Sequence, residues 1–283
     1  LGSLSLCCVS PHPPILVPEV GKGEVSKVAA SAGALARLAS EIAGIGPDTL
    51  VVMSPHSPVY SDAFIVKADR EMTGSFRQFG APQVRIQAPG DEELASAIRD
   101  FIKARGMPVA SGGTADRGLM GAAPEIDHGM LVPLYFLAPP SYMLVGVSIS
   151  FLDYWSHYQV GLAIREASEA TGRKTVFIAS GDLSHRLLPG APAGYDVRGE
   201  EFDRAIVGIV GSGRFAELFE LDPALIEAAG ECGLRSVFAL AGALDGHSVK
   251  TEVLSYEGPF GVGYMVARAL PVAEDPARKL TRP

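Results

Sequence analysis

A chain of 283 residues, 47% hydrophobic and 20% charged, is long enough for one large or two modest domains and apolar enough for a sizeable core. Its net charge of −8, with no basic run to offset it, argues against nucleic acid, whose binding needs Lys and Arg against phosphates. Three cysteines, two of them adjacent (Cys7, Cys8), make neither a disulfide framework nor a paired zinc motif. No stretch approaches the ~20 apolar residues of a membrane span, and LGSLSLCCVS at the start lacks the basic region of a signal peptide. The expected compartment is a reducing cytoplasm.

Taken in chain order, the apolar runs alternate between strand and helix. Residues 3–9 (SLSLCCV) read as a short strand stopped at SPHPP, where Pro11, Pro13 and Pro14 end the ladder and hold His12 in a rigid turn. Apolar residues at helical spacing over 24–43 predict an amphipathic helix. TLVVMS (49–54) is a second strand, ending at SPHSP, a near repeat of the first turn. A strand near 63–68 leads into a loop rich in Gly, Phe and Gln up to Gly90, and Asp91 caps a helix over 92–105. Residues 111–127 show no clear period. A loop of that length inside a compact domain is usually functional or mobile, and this one delivers His128 at the start of a short apolar helix, 129–137.

The second half resumes the alternation with a strand at 142–149, a helix at 154–170 and a strand at 174–180. Helices near 197–211, 213–220, 223–229 and 234–244 follow. Two late strands, 249–256 and 261–269, flank the turn EGPFG. The pattern predicts an α/β fold on a largely parallel or mixed sheet with late antiparallel strands. Residues 1–270 are expected to form one domain, and 271–283, Pro-rich and charged, a linker or frayed end.

Six histidines are present. His12, His56 and His185 directly follow predicted strands, and His128 opens a helix. Ligand sites in open α/β sheets form outside the carboxyl ends of strands, where these side chains would stand. His157 and His247 are read as helix face and solvent. For any single one of the four, a buried histidine satisfied by backbone is a fair reading. Two Pro-His turns after two strands are harder to dismiss, because flanking prolines hold a ligand geometry. Neutral imidazoles bind metals readily, and an anionic third ligand would balance a divalent charge. Glu231 in GECG is the candidate, with Cys232 competing for the role and a helix-end carboxylate answering Arg235 as the plain alternative. A thiolate would favour softer ions, whereas two His and a carboxylate suit non-haem Fe(II). No H-E-x-x-H or G-x-S-x-G is present. Asp182 has two readings, orienting His185 or capping its loop.

Together SPHPP, SPHSP, DHGMLVPL, ASGDLSH and the segment around Glu231 resemble class III (LigB-type) extradiol ring-cleavage dioxygenases over about residues 5–270, nearest to a branch related to Memo proteins. The resemblance implies an α/β sheet with helices on both faces. It implies Fe(II) held by His12, His56 and Glu231, with zinc or another divalent metal as the alternative. His185 would then be the catalytic acid/base and His128 a substrate contact, acting on a small aromatic diol or aminophenol with O2. In Memo-like relatives a cysteine replaces the carboxylate, so the register at Glu231 and Cys232 stays open by one residue. Two other functions stay open: a Memo-like metal-binding protein acting through partners, and a zinc-dependent hydrolase. Neither nucleic acid nor a membrane is expected as a partner, and a homo-oligomer is left open.

Overall fold

The computed structural model describes residues 3–111 and 126–282. Its strands are β1 (Leu4–Ser10), β2 (Thr49–Ser54), β3 (Phe64–Lys67), β4 (Met72–Phe76) and β5 (Ala81–Ala88), then β6 (Val109–Ala110), β7 (Met143–Ser148), β8 (Thr175–Ser180), β9 (His247–Glu257) and β10 (Tyr264–Glu274). Its helices are α1 (Pro18–Gly21), α2 (Ala29–Ile45), α3 (Glu92–Ala104) and α4 (His128–Leu137), then α5 (Tyr154–Thr171), α6 (Arg198–Ser212), α7 (Pro223–Ala229) and α8 (Leu234–Ala243). Eight strands form one mixed sheet in the order β6-β3-β7-β2-β8-β1-β10-β9, and β4 and β5 form a separate hairpin.

At the centre, β7, β2, β8 and β1 run parallel. Their sequences are almost unbroken apolar runs because both faces of a parallel sheet are covered. Pleating divides each strand between two cores. Cys7, Val9, Val51, Met53, Phe177 and Ala179 face the core built by α3, α5, α6 and α8. Leu6, Cys8, Leu50, Val52, Val176 and Ile178 face the core built by α2 and α4. Helices therefore cover both faces, and the antiparallel strands lie at the flanks, β10 and β9 beyond β1 and β3 beyond β7.

Several expectations change. The loop predicted before Gly90 contains the β4–β5 hairpin, whose polar, Gly-containing strands lack a continuous apolar run. The helix expected at 213–220 is a 3-10 segment, Phe215–Glu220, and α2 is preceded by another, Lys22–Val28. The linker reading of 271–283 is overturned. β10 continues through Glu274. Beyond it the Leu280 amide donates to Asp245 Oδ1 at 2.8 Å and Arg282 pairs with Asp153 at 3.0 Å. Most of the loop expected at 111–127 lies outside the described residues. Among those residues, the helical stretch Pro18–Ile45 is long and apolar enough to cross a membrane, but its Leu35, Leu38 and Ile42 are buried against the sheet.

Candidate metal centre

All four central strands end at one edge of the sheet, and the turns that leave β1, β2 and β8 carry His12, His56 and His185. His12 lies two residues beyond β1 and Asp182 two beyond β8, at strand ends paired as Ser10 with Ser180. The His12 amide accordingly donates to Asp182 Oδ1 at 3.0 Å. His56 follows β2, and the His12 and His56 Nε2 atoms approach to 2.9 Å. The His128 ring lies 3.9 Å from that of His56, tilted by 32°. His12, His56 and His128 can thus offer ring nitrogens all within 4.8 Å of one another, and so can His12, Asp182 and Cys232 with their own ligand atoms.

The tautomer of His12 follows from the backbone of α4. Pro133 lies inside that helix and has no N–H to give the Gly129 carbonyl four residues back. The Ser180 hydroxyl takes its place, donating to Gly129 O at 2.5 Å. A hydroxyl has one proton, so its contact with His12 Nδ1 at 3.1 Å must be accepted from an N–H. Nδ1 of His12 is therefore protonated, and Nε2 presents a bare lone pair to His56. Burial, then the fields of His56, His128 and His185, hold the His12 pKa well below its ordinary value. Burial first, then His128, brings His56 down to about 4. Both rings are neutral near pH 7, the form that ligates metals.

With His12 Nε2 bare, the 2.9 Å contact is made either by an N–H donated from His56 Nε2 or by a cation shared between the two nitrogens. Nitrogen ligands at about 2.0–2.1 Å and a right angle on one ion would be roughly 2.9 Å apart. The geometry fits a divalent transition metal held by His12 and His56. The structure does not bring Glu231, the third donor expected from the sequence, to these two rings. Glu231 lies in neither group, because its Oε2 accepts the Leu234 amide at 2.6 Å at the start of α8. Cys232 instead turns its Sγ to 3.8 Å from His12 Nε2, and Asp182 Oδ2 also stands 3.8 Å from that nitrogen. The turn is allowed by two glycines in contact: a Cβ on Gly181 would fall 2.1 Å from the Gly233 Cα. Burial raises Asp182 and Glu231 each to about 7 and pushes the Cys232 thiol well up. A bound cation reverses that tendency and deprotonates a coordinating thiol.

His185 stands within the electrostatic reach of His12 and His56; its Nδ1 is buried without a partner at good hydrogen-bond geometry, and the Leu183 and Gly230 backbone groups lie beside the ring. Burial lowers its pKa, so it is neutral and able to accept a proton. Its loop is fixed by Asp203, fully buried on α6, which accepts the Ser184 amide at 2.7 Å and the Tyr256 hydroxyl at 2.7 Å. Asp182 serves His12 rather than orienting His185. His157 is buried rather than solvent-facing, accepting the Ser150 amide on Nε2 at 3.2 Å and donating from Nδ1 to Asp153 O at 2.9 Å. His247 is half-buried and packs near Arg165, away from the cluster.

Four contributors were not singled out from the sequence, although Ser54, Ser180 and Asp127 lie inside SPHSP, ASGDLSH and DHGMLVPL. Ser54 and Ser180 are the last residues of β2 and β8 and read as strand ends. Asp127 read as part of the loop before His128. Phe79, at the tip of the β4–β5 hairpin, has its ring 5.4 Å from His128.

The sequence profile described as the catalytic LigB subunit of aromatic ring-opening dioxygenase matches residues 6–267. A protein of Clostridium acetobutylicum, CA_C1420, is 36% identical over 270 residues, which is 95% of this chain and 58% of that protein. The chain thus spans little more than half of that relative. The crystal structure of the uncharacterized protein JW3007 from Escherichia coli K12 superposes with a TM-score of 0.60 over 94% of this chain and 99% of the other, at 16% identity. That likeness is one of fold. With the profile covering both Pro-His turns, the α4 histidine and the Cys232 turn, the chain belongs to the LigB family of aromatic ring-opening dioxygenase catalytic subunits.

Proposed function

We propose that this chain is a metal-dependent oxygenase that opens a small aromatic ring bearing adjacent hydroxyl groups, or a hydroxyl and an amino group, with O2. The observation that carries the reading is the 2.9 Å approach of two neutral imidazole Nε2 atoms at the carboxyl ends of parallel strands. When bound, Fe(II) would supply a shared binding point for both reactants and a path for electrons from ring to oxygen. Both oxygen atoms enter the product across the broken ring C–C bond, so no outside reductant is consumed.

The chain's own residues hold and move protons. His12 and His56 would bind the metal through Nε2, with Cys232 or Asp182 as the anionic partner. His185, held neutral by burial, would accept the proton of a substrate hydroxyl and later return one. His128 would hydrogen-bond the substrate oxygen. Anaerobic loading with Fe(II), then 4-nitrocatechol and O2, tests the reading. A shifted visible band followed by O2 uptake supports it, and metal binding without either refutes it.

One observation favours a second reading, a metal-binding protein that does not open rings. The side chain turned toward His12 beside Asp182 is a thiol, whereas Glu231 is engaged with the α8 amide. Tight metal binding with no catechol band would decide for it.

A further inference from the structure

One carboxylate outside the ligand groups is tied to both histidine-bearing turns. Asp127 Oδ1 accepts the Ser54 hydroxyl at 2.5 Å and the Met130 amide at 3.2 Å. Its Oδ2 accepts the Ser57 hydroxyl at 2.6 Å and lies 4.0 Å from the Lys67 ammonium, which is only 8% exposed. Ser54 Oγ in turn accepts the His56 amide at 3.1 Å. A single side chain therefore grips both ends of the Ser54–Ser57 turn and starts the helix that carries His128. The packing is close: a Cβ on Gly129 would fall 2.4 Å from Ser54 Oγ and 3.2 Å from His56 Cδ2. A helix cap needs only the one amide contact, as at Asp222, whose Oδ1 accepts the Ala224 amide at 2.9 Å. Three further groups converge on Asp127, and two belong to the His56 turn.

We propose that Asp127 is a positioning residue for the metal centre, fixing His56 against His12 through Ser54 and Ser57 while holding His128 beside it. The proposal rests on His12 and His56 being metal ligands, but not on ring cleavage. Groups that orient ligands typically change metal affinity 10–100-fold when removed. Asp91 is the natural control. It caps α3, accepts the Thr49 hydroxyl at 2.6 Å and pairs with Arg173 at 2.9 Å, at the start of β2 rather than its end.

The test is Co(II) and Zn(II) affinity, measured by competition with a chromophoric chelator, for wild type, D127N, S57A and D91N. The Co(II) visible spectrum and the metal-free urea midpoint are recorded for each. D127N is expected to lose metal affinity by about 10–100-fold with an altered Co(II) spectrum. S57A should move the same way by less, and D91N should keep both affinity and spectrum even where its urea midpoint falls. Should D127N not fold, S57A alone carries the expectation. Wild-type affinity in S57A and D127N overturns the proposal, as does an equal loss in D91N. Wild-type protein that binds neither metal overturns the ligand reading, and the proposal with it.

Discussion

The link from Pro133 to the His12 tautomer predicts a coupling between two residues that have no hydrogen bond to each other. Ser180 is fully buried and makes two hydrogen bonds, one to Gly129 O and one from His12 Nδ1. Removing the hydroxyl leaves a buried carbonyl and a buried N–H unpaired, at about 1–3 kcal/mol each. Ser180→Ala should therefore destabilise the metal-free protein by roughly 2–6 kcal/mol. Pro133→Ala restores an N–H four residues after Gly129. In that background the carbonyl keeps a partner, so Ser180→Ala should cost about 1–2 kcal/mol less. Urea denaturation of the four proteins in the cycle measures the difference. His12, no longer held in one tautomer, should also lose about 10–100-fold in Zn(II) affinity in Ser180→Ala. Additivity within about 0.5 kcal/mol, or unchanged metal affinity in Ser180→Ala, would refute the reasoning.

The same geometry separates the neighbours Glu231 and Cys232. Cys232→Ala should strip metal affinity, whereas Glu231→Ala should keep it and lose about 1 kcal/mol of stability, the worth of a helix-start contact; equal metal loss in both would return Glu231 to the ligand set. His185→Ala should retain metal and the 4-nitrocatechol band yet lose turnover by roughly 10²–10⁴-fold, and a variant purified without metal would make His185 a ligand. Asp203 predicts a pH effect on stability. Burial raises its carboxyl from 3.8 to about 6, so the folded state binds its proton more tightly than the unfolded chain. That contribution is full below about pH 4 and is lost as pH rises through 6, about 3 kcal/mol over the window. Asp203→Asn lacks the titration, so its stability relative to wild type should improve between pH 5 and 7.5. A gap that stays flat or moves the other way in urea titrations would show that Asp203 is not raised.

The frame was legible because the strongest sequence signals are also the strongest structural constraints. KTVFIAS and TLVVMS read as strands covered on both faces, and the prolines bounding His12 and His56 end β1 and β2 at one edge of the sheet. Weak signals failed where short polar segments are held by tertiary contact. The β4–β5 hairpin carries Gly74, Gln78 and Arg85 among its apolar residues and has no sustained period. The charged end of the chain read as a linker, because the pairing of Pro271 and Glu274 with β9 depends on a partner strand some twenty residues away. His157 read as solvent-facing because its burial comes from packing, the ring edge-on to Phe64 at 5.0 Å.

The Glu231–Cys232 register shows why composition could not decide the third donor. Both residues suit a divalent ion in chemical type, and the pair is bounded by Gly230 and Gly233. What separates them is direction, set by two backbone facts. Gly230 adopts a left-handed conformation at φ 60°, ending α7, and Gly233 packs on Gly181. With the chain pinned there, the Asp182 and Cys232 backbones pair, the Cys232 amide donating to Asp182 O at 3.3 Å. The Asp182 amide faces the Cys232 sulfur, also at 3.3 Å. Cys232 is drawn under His12, and Glu231, one residue earlier, is left facing the first amides of α8. A donor set of two imidazoles, a thiol and a nearby carboxylate ranks metals differently from two imidazoles and a carboxylate, because sulfur favours softer ions. Replacing Cys232 with Asp should therefore shift the measured preference from Zn(II) toward Fe(II). If the Zn(II)-to-Fe(II) affinity ratio stays unchanged in that variant, the thiol is not a ligand and Asp182 is left as the anionic donor.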